Sequence, residues 1–278
     1  MPEGDTVWRA AQRLNDVLAG RELVSTDFRV PSLATADVSG FRVSEVASAG
    51  KHLLFRMNRG DDRLTLHTHF RIDGSWHIYP CGEPWRGGPK DTIRVVLRTG
   101  THDVVGYRLP VVELLPRNDE HSVVGHLGID IMSQQWDQAL AISALQSHPE
   151  RAIGDALLDQ RIIAGIGNLY RCEALFICST NPWIPVEEAD APAIVSTVAR
   201  LMHRNRWNPR QVTTGDERRG REHFVHARSG RSCRRCGTRI DIGRDGTAPR
   251  ERLVYWCPRC QARLRQGLNQ SGEAGIQG

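Results

Sequence analysis

Cys233-Arg234-Arg235-Cys236 and Cys257-Pro258-Arg259-Cys260 are two Cys-x-x-Cys pairs with residues 237–256 between them. Two thiolates from each tight knuckle can close a four-sulfur tetrahedral site, and the intervening segment is the length of one β-hairpin. Period-two stretches at 239–242 and 252–256, with a turn over 243–246, supply that hairpin. The expectation is one structural Zn2+ held by Cys233, Cys236, Cys257 and Cys260, stiffening a module too small to fold by itself. Cys81, Cys172 and Cys178 are then expected as reduced core residues.

The hairpin sits in unusually basic sequence. Residues 204–265 hold 17 arginines against 6 carboxylates, a net of +11, so the rest of the chain is net −6 although the whole is only +5. A basic third on an otherwise acidic protein points to a polyanion, most simply nucleic acid; a solvated basic surface is the alternative. Only Lys51 and Lys90 among the 37 basic residues are lysines, a hint that each sits where a compact, titratable ammonium is wanted. No run of 18 apolar residues occurs and the start lacks a signal peptide's apolar core, so the expectation is a cytoplasmic protein, nucleoid-associated if bacterial, with no membrane partner.

Moving to the start of the chain, Val7, Ala10, Ala11, Leu14, Val17 and Leu18 form a helical stripe with Asp5 as a plausible N-cap and Gly20 as terminator. The period then changes to two. Residues 41–46, 52–57, 64–69, 76–79, 92–97, 104–107 and 111–115 read as short strands separated by turns, which means a sandwich or barrel. From Ser133 the helical period returns, with helices around Trp136–Ile142, Ile153–Leu157, Leu169–Phe176 and Ala193–Met202. The expected class is α+β multidomain: a β-sandwich over 1–118, a hinge over 119–132, a helical domain over 133–230, the four-cysteine finger over 231–265 and a disordered tail over 266–278.

Four short stretches carry chemistry. Met1-Pro2-Glu3-Gly4 becomes reactive if Met1 is removed: Pro2 is then a terminal secondary amine with a pKa near the ~8 of an α-amino group, able to form an iminium at a sugar aldehyde carbon. Glu3 beside it could donate and accept protons, although the same four residues could equally be a frayed terminus. Gly165-Ile166-Gly167-Asn168 precedes a helix whose first N–H groups can hold a phosphate-sized anion, with the Asn168 amide completing the site. His67-Thr68-His69 puts two imidazoles on one face of a strand without a nearby carboxylate in sequence, which favours a phosphate contact or a core role over a metal site. Phe70-Arg71-Ile72-Asp73-Gly74 is a tight turn with one apolar tip: an ordinary hairpin turn, or a wedge for a base stack.

Together these residues resemble the formamidopyrimidine-DNA glycosylase and endonuclease VIII family, with the endonuclease VIII branch favoured. The resemblance spans residues 1–265 and rests on Pro2-Glu3-Gly4, on Gly50-Lys51-His52-Leu53-Leu54, on Gly165-Ile166-Gly167-Asn168-Leu169-Tyr170, and on the finger ending Arg252-Leu253-Val254-Tyr255-Trp256-Cys257. It implies a two-layered N-terminal β-sandwich with an N-terminal helix, a helix-two-turn-helix domain, a zinc-finger hairpin, and DNA in the cleft between them. It implies an enzyme, a bifunctional DNA glycosylase with AP lyase activity acting by β,δ-elimination. Pro2 would be the Schiff-base nucleophile, Glu3 the proton donor and Lys51 a phosphate or proton-transfer partner. Asn168 and Arg252 would clamp the phosphates flanking the lesion, Arg252 also serving δ-elimination. His69, Arg71, Ile72, Asp73, His126 and Gly167 complete the expected DNA contacts of a monomer bound to damaged DNA.

The chain departs from the family pattern in three places. Thr6 stands where many endonuclease VIII members carry a glutamate; the void-filling turn reads Arg71-Ile72-Asp73; and His126 replaces a DNA-contacting arginine. The opening Pro-Glu-Gly-Asp and the Tyr-Trp-Cys-Pro ending favour oxidised pyrimidines as substrate. The alternatives are oxidised purines, or a catalytically silent protein that keeps the clamp for damage recognition.

Overall fold

The computed structural model describes residues 2–245 and 251–262. Its first helix, α1 (Gly4–Leu18), buries Val7, Ala11, Leu14 and Leu18, the i, i+4, i+7 stripe that the sequence shows. The stripe lies against a sandwich of two four-stranded antiparallel sheets. Strands β1 (Ser25–Phe28), β2 (Arg42–Ala49), β3 (His52–Arg59), β4 (Asp62–His69), β5 (Ser75–Pro80), β6 (Ile93–Arg98), β7 (His102–Tyr107) and β8 (Val111–Pro116) are arranged as β2-β3-β4-β8 and β1-β6-β7-β5. Phe55, Leu66, Val95, Leu97 and Val104 interdigitate between the layers with the α1 stripe. All seven expected strands form. β1 was missed because Ser25-Thr26-Asp27 offers no apolar alternation; its pairing with β6 holds it.

The expected N-cap of α1 is corrected. The cap is Glu3, and Asp5 lies inside the first turn, wholly buried, where its carboxylate accepts from the Tyr170 hydroxyl at 2.7 Å and the Gln211 amide at 2.9 Å. Asp5 thus faces the helical domain rather than capping its own helix.

The stretch read as a hinge carries two short elements. It contains α2 (Glu120–Val124), anchored by the Glu120 carboxylate on Arg56 at 2.8 Å, and β9 (Ile129–Asp130). The helical domain follows with α3 (Gln138–Gln146), α4 (Ile153–Ala156), β10 (Ile163–Ala164), α5 (Asn168–Ile177) and α6 (Ala191–Asn205), β10 running parallel to β9. Trp136 lies outside α3, whose cap is Asp137. Ile163, Leu169, Tyr170, Ile194 and Val198 fill the core of this domain, and Trp8 of α1 packs against it, so the first helix touches both lobes.

The last module is the hairpin of β11 (Asp241–Asp245) and β12 (Arg252–Trp256). Gly243 belongs to β11, not to a turn as its sequence suggested: a Cβ there would stand 2.2 Å from the Trp183 indole. Gly246 and the tail over 266–278 fall outside the described residues. Cys81 is exposed after β5, correcting its expected core role, whereas Cys172 is buried under the hairpin with Phe176 and Val254. Among the described residues no helix is long and apolar enough to cross a membrane.

Candidate active site

Residues 164 positions apart meet first. The Glu3 carboxylate is fully buried and accepts from the backbone N–H groups of Gly167 at 2.9 Å and Leu169 at 2.7 Å. These are orphan donors at the start of α5, so Glu3 caps a helix of the other domain. Those two helix N–H groups are thus taken by the protein's own carboxylate. Gly167 is required by proximity, since a Cβ there would lie 2.5 Å from the Glu3 carboxyl carbon. A Cβ on Gly4 would meet the Gly165 Cα at 2.9 Å, and the Gly4 N–H donates to the Gly165 carbonyl at 2.9 Å.

Lys51 enters from the turn before β3 and donates from Nζ to the Ile166 carbonyl at 2.5 Å. Two backbone features aim it. Gly50 takes a left-handed φ of 55°, and its N–H donates to the half-buried Asp130 carboxylate at 2.9 Å. Burial pushes the Glu3 carboxyl up to about 7, against the pull of Lys51 and the helix N–H groups. Burial also brings the Lys51 ammonium down to about 8, opposed by Glu3 and assisted by Arg252. Both groups are thereby tuned toward neutral pH, which is what proton-transferring side chains need.

Pro2, Glu3, Lys51, Asn168 and Arg252 all line one cavity of about 550 Å³, together with His52, His67, His69, Arg71, Ile72 and Gly167. His126 lies at an adjoining groove shared with Arg252, its ring 6.1 Å from that of His52. Arg71 has a left-handed φ of 48°, its N–H donates to His69 Nδ1 at 2.9 Å, and Ile72 beside it is 70% exposed. Asp73 is exposed and its carbonyl accepts from Arg108. Of the site residues expected outside the finger, all but Asp73 and His126 line that cavity.

Asn168 is engaged more than the sequence suggested. Its amide donates to the Leu253 carbonyl at 2.9 Å, and its oxygen accepts from Arg171 at 2.5 Å. Arg171, fully buried, also pairs with Asp245 at 2.9 Å. This arginine bolts α5 to the hairpin and was missed; its one signal was a charge amid the apolar residues of 169–176. A second missed group is Glu113, whose carboxylate lies 2.9 Å from His67 Nδ1, correcting the expectation of histidines without a carboxylate partner.

The four cysteines converge as their spacing required. All four Sγ atoms lie within 4.8 Å of one another, with Cys233–Cys260 at 3.9 Å and Cys236–Cys257 at 3.4 Å. Tetrahedral zinc thiolate bonds of ~2.3 Å demand sulfur separations of roughly 3.8 Å, so this donor set fits that ion.

Family models match on both sides of the cleft: the formamidopyrimidine-DNA glycosylase N-terminal domain over residues 1–108 and the formamidopyrimidine-DNA glycosylase H2TH domain over 127–205. The chain is 49% identical over 265 residues to a probable endonuclease 8 2 of Streptomyces coelicolor, covering 94% of each. It is 41% identical to the DNA-(apurinic or apyrimidinic site) lyase Nei2 of Mycolicibacterium smegmatis, covering 94% of this chain and 99% of that one. A crystal structure of Lactococcus lactis Fpg with DNA containing an abasic site superposes with a TM-score of 0.75 at 18% identity, over 94% of this chain and 100% of that one. The two family models span both lobes and the relatives cover 94% of the chain, and the chain belongs to the formamidopyrimidine-DNA glycosylase and endonuclease VIII family.

Proposed function

We propose that this protein is a base-excision DNA glycosylase and AP lyase that removes oxidised bases, pyrimidines in preference to purines. The observation that carries the reading is the convergence of Pro2, Glu3 and Lys51 on one cavity, with two of them tuned toward neutral pH.

The chemistry follows from these groups. With Met1 removed, Pro2 is a secondary amine, and its attack on C1′ gives an iminium that has no N–H to lose and so stays cationic. Glu3 in its acid form protonates the sugar ring oxygen; its Oε1 accepts only the Leu169 N–H and keeps a second lone pair for the proton, so capping leaves it able to act. The base departs, the cationic carbon acidifies C2′–H, and elimination expels first the 3′ and then the 5′ phosphate. Lys51, Asn168 and Arg252 hold phosphates, with His69, Arg71 and His126 as further contacts. Ile72 fills the space left by the everted nucleotide, an eversion costing a few kcal/mol. The intact, assembled triad disfavours a silent binding protein.

Borohydride reduction during incubation with an abasic-site duplex should trap a covalent protein–DNA adduct. A mobility shift without any adduct would leave only the binding reading. A panel of oligonucleotides with single oxidised pyrimidines or purines tests the substrate preference.

Zinc on Cys233, Cys236, Cys257 and Cys260 supplies rigidity, holding Arg252 toward the cleft while α5 braces the hairpin through Asn168 and Arg171. Chelation should weaken DNA binding without unfolding the sandwich, read by near-UV dichroism beside a binding titration. Unchanged affinity after verified metal loss contradicts the role. Arg252→Ala should weaken damaged and undamaged duplex alike and lower the salt slope by about 1, as a phosphate contact does. A loss confined to one lesion would make Arg252 a base reader instead.

A further inference from the structure

Three side chains stand in a row across three adjacent strands on the sheet face that borders the cavity. His67 of β4 is directly opposite Glu113 of the edge strand β8, and His52 of β3 lies diagonally beside it. His52 Nδ1 is 2.8 Å from His67 Nε2, and His67 Nδ1 is 2.9 Å from Glu113 Oε2. His52 and His67 line the cavity, while the Glu113 side chain is 54% exposed. The row therefore runs from the reaction chamber to solvent.

We propose that His52, His67 and Glu113 form a proton relay that clears the catalytic cavity while DNA covers its mouth. The inference rests on the glycosylase and lyase reading above. Its direction comes from the hydrogen-bond inventory. An ionised carboxylate only accepts, so His67 Nδ1 carries the proton shared with Glu113. The Nε2 of neutral His67 then accepts, so His52 Nδ1 donates, leaving His52 Nε2 with a free lone pair. Burial brings His52 down to about 3, and His69, His67, His126 and Lys51 push the same way. His69 is likewise lowered, to about 4, by burial, Lys51, Arg71 and His67. Burial first, with the Lys51 ammonium, thus keeps the receiving imidazole neutral and its lone pair available.

The reaction supplies a proton to move. In each elimination the C2′–H or C4′–H bond breaks, its electron pair becomes a carbon–carbon double bond, and the C–O electron pair leaves with phosphate. A diester becomes a monoester whose second pKa is ~6, so about one proton per cleaved bond must reach solvent at neutral pH. A proton accepted at His52 Nε2 sends the Nδ1 proton to His67 Nε2, which sends its own Nδ1 proton to Glu113 and water. One proton enters and one leaves. Both rings end in the other tautomer and reset by rotation once product departs.

The test is single-turnover cleavage of an abasic-site duplex in dilute buffer by the wild type, Glu113→Gln and His67→Gln, with borohydride trapping in parallel. Glu113 is at the surface, so its amide variant keeps the fold. Both variants should form adduct at the wild-type rate and then cleave roughly tenfold more slowly, below direct general-acid effects because His52 remains. Added imidazole or formate buffer should restore Glu113→Gln, and the solvent deuterium isotope effect on cleavage should rise. Cleavage at the wild-type rate in both variants overturns the relay alone. Equal loss of trapping and cleavage, unrestored by buffer, overturns it in favour of a structural role. A wild type that forms no adduct removes the underlying function and the relay together.

Discussion

Replacing Pro2 with glycine should lower the trapped adduct on an abasic-site duplex by at least about 10²-fold while the same duplex still shifts in a gel. Pro2 borders the cavity that holds Glu3, Lys51 and Arg252, so its amine is the group placed to meet C1′. Glycine at that position offers a primary amine, but two properties disappear with the ring. The proline iminium keeps its positive charge at every pH, whereas an imine from glycine can shed its proton and with it the electron withdrawal that acidifies C2′. The ring also fixes the direction of the nitrogen lone pair about the N–Cα bond, and glycine frees that rotation, so the amine no longer points one way at the sugar. Binding depends on arginines and backbone elsewhere and should survive. Adduct at the wild-type level would transfer the nucleophile to another amine, with Lys51 the first to suspect.

Glu3→Gln should slow excision of an oxidised base by about 10²–10⁴-fold while affecting cleavage of a preformed abasic site less. The carboxyl is needed as an acid at the step that opens the sugar, and an abasic site is already past base loss. A pH profile separates this from simple damage to the fold. Because burial holds Glu3 near 7 rather than at its ordinary 4.5, its acid form is lost as pH rises through about 7. Wild-type excision should therefore decline above about pH 7, and the residual activity of the amide variant should not follow that decline.

The same residue links chemistry to stability. A carboxyl whose folded pKa is raised contributes stability that is full below its unfolded pKa and lost as pH climbs through the folded one. Wild-type stability relative to Glu3→Gln should accordingly fall between about pH 4.5 and 7. Amide substitution also turns an NH2 group toward the N–H donors of Gly167 or Leu169, leaving a buried donor unsatisfied at a cost of about 1–3 kcal/mol. Denaturant midpoints across that pH range measure both effects.

What could be read from the chain ahead of its structure divides along physical lines. Regular alternation in β2 through β8, the stripe of α1 and the Cys-x-x-Cys spacing depend on short-range periodicity, and all three were legible. The pairing of Glu3 with the start of α5 was not, because a carboxylate at position 3 carries no mark of a helix beginning 165 residues later. The Gly165–Asn168 stretch gave half the clue: it pointed to an anion at the helix start, and the anion there is internal. Asp5 looked like a cap because its type suits that role, yet Tyr170 and Gln211 claim its carboxylate. His52, His67 and Glu113 come from three strands, and only the register of β3, β4 and β8 makes them a row. Arg171 was hidden for a similar reason, its partner Asp245 lying on the hairpin between the two cysteine pairs.

Peptide mapping by mass spectrometry of the borohydride-reduced complex is the most direct examination of the covalent step. The mature chain should begin at Pro2, and the reduced deoxyribose remnant should sit on that residue's nitrogen. A remnant on Lys51, or fully active protein still carrying Met1, would contradict the account.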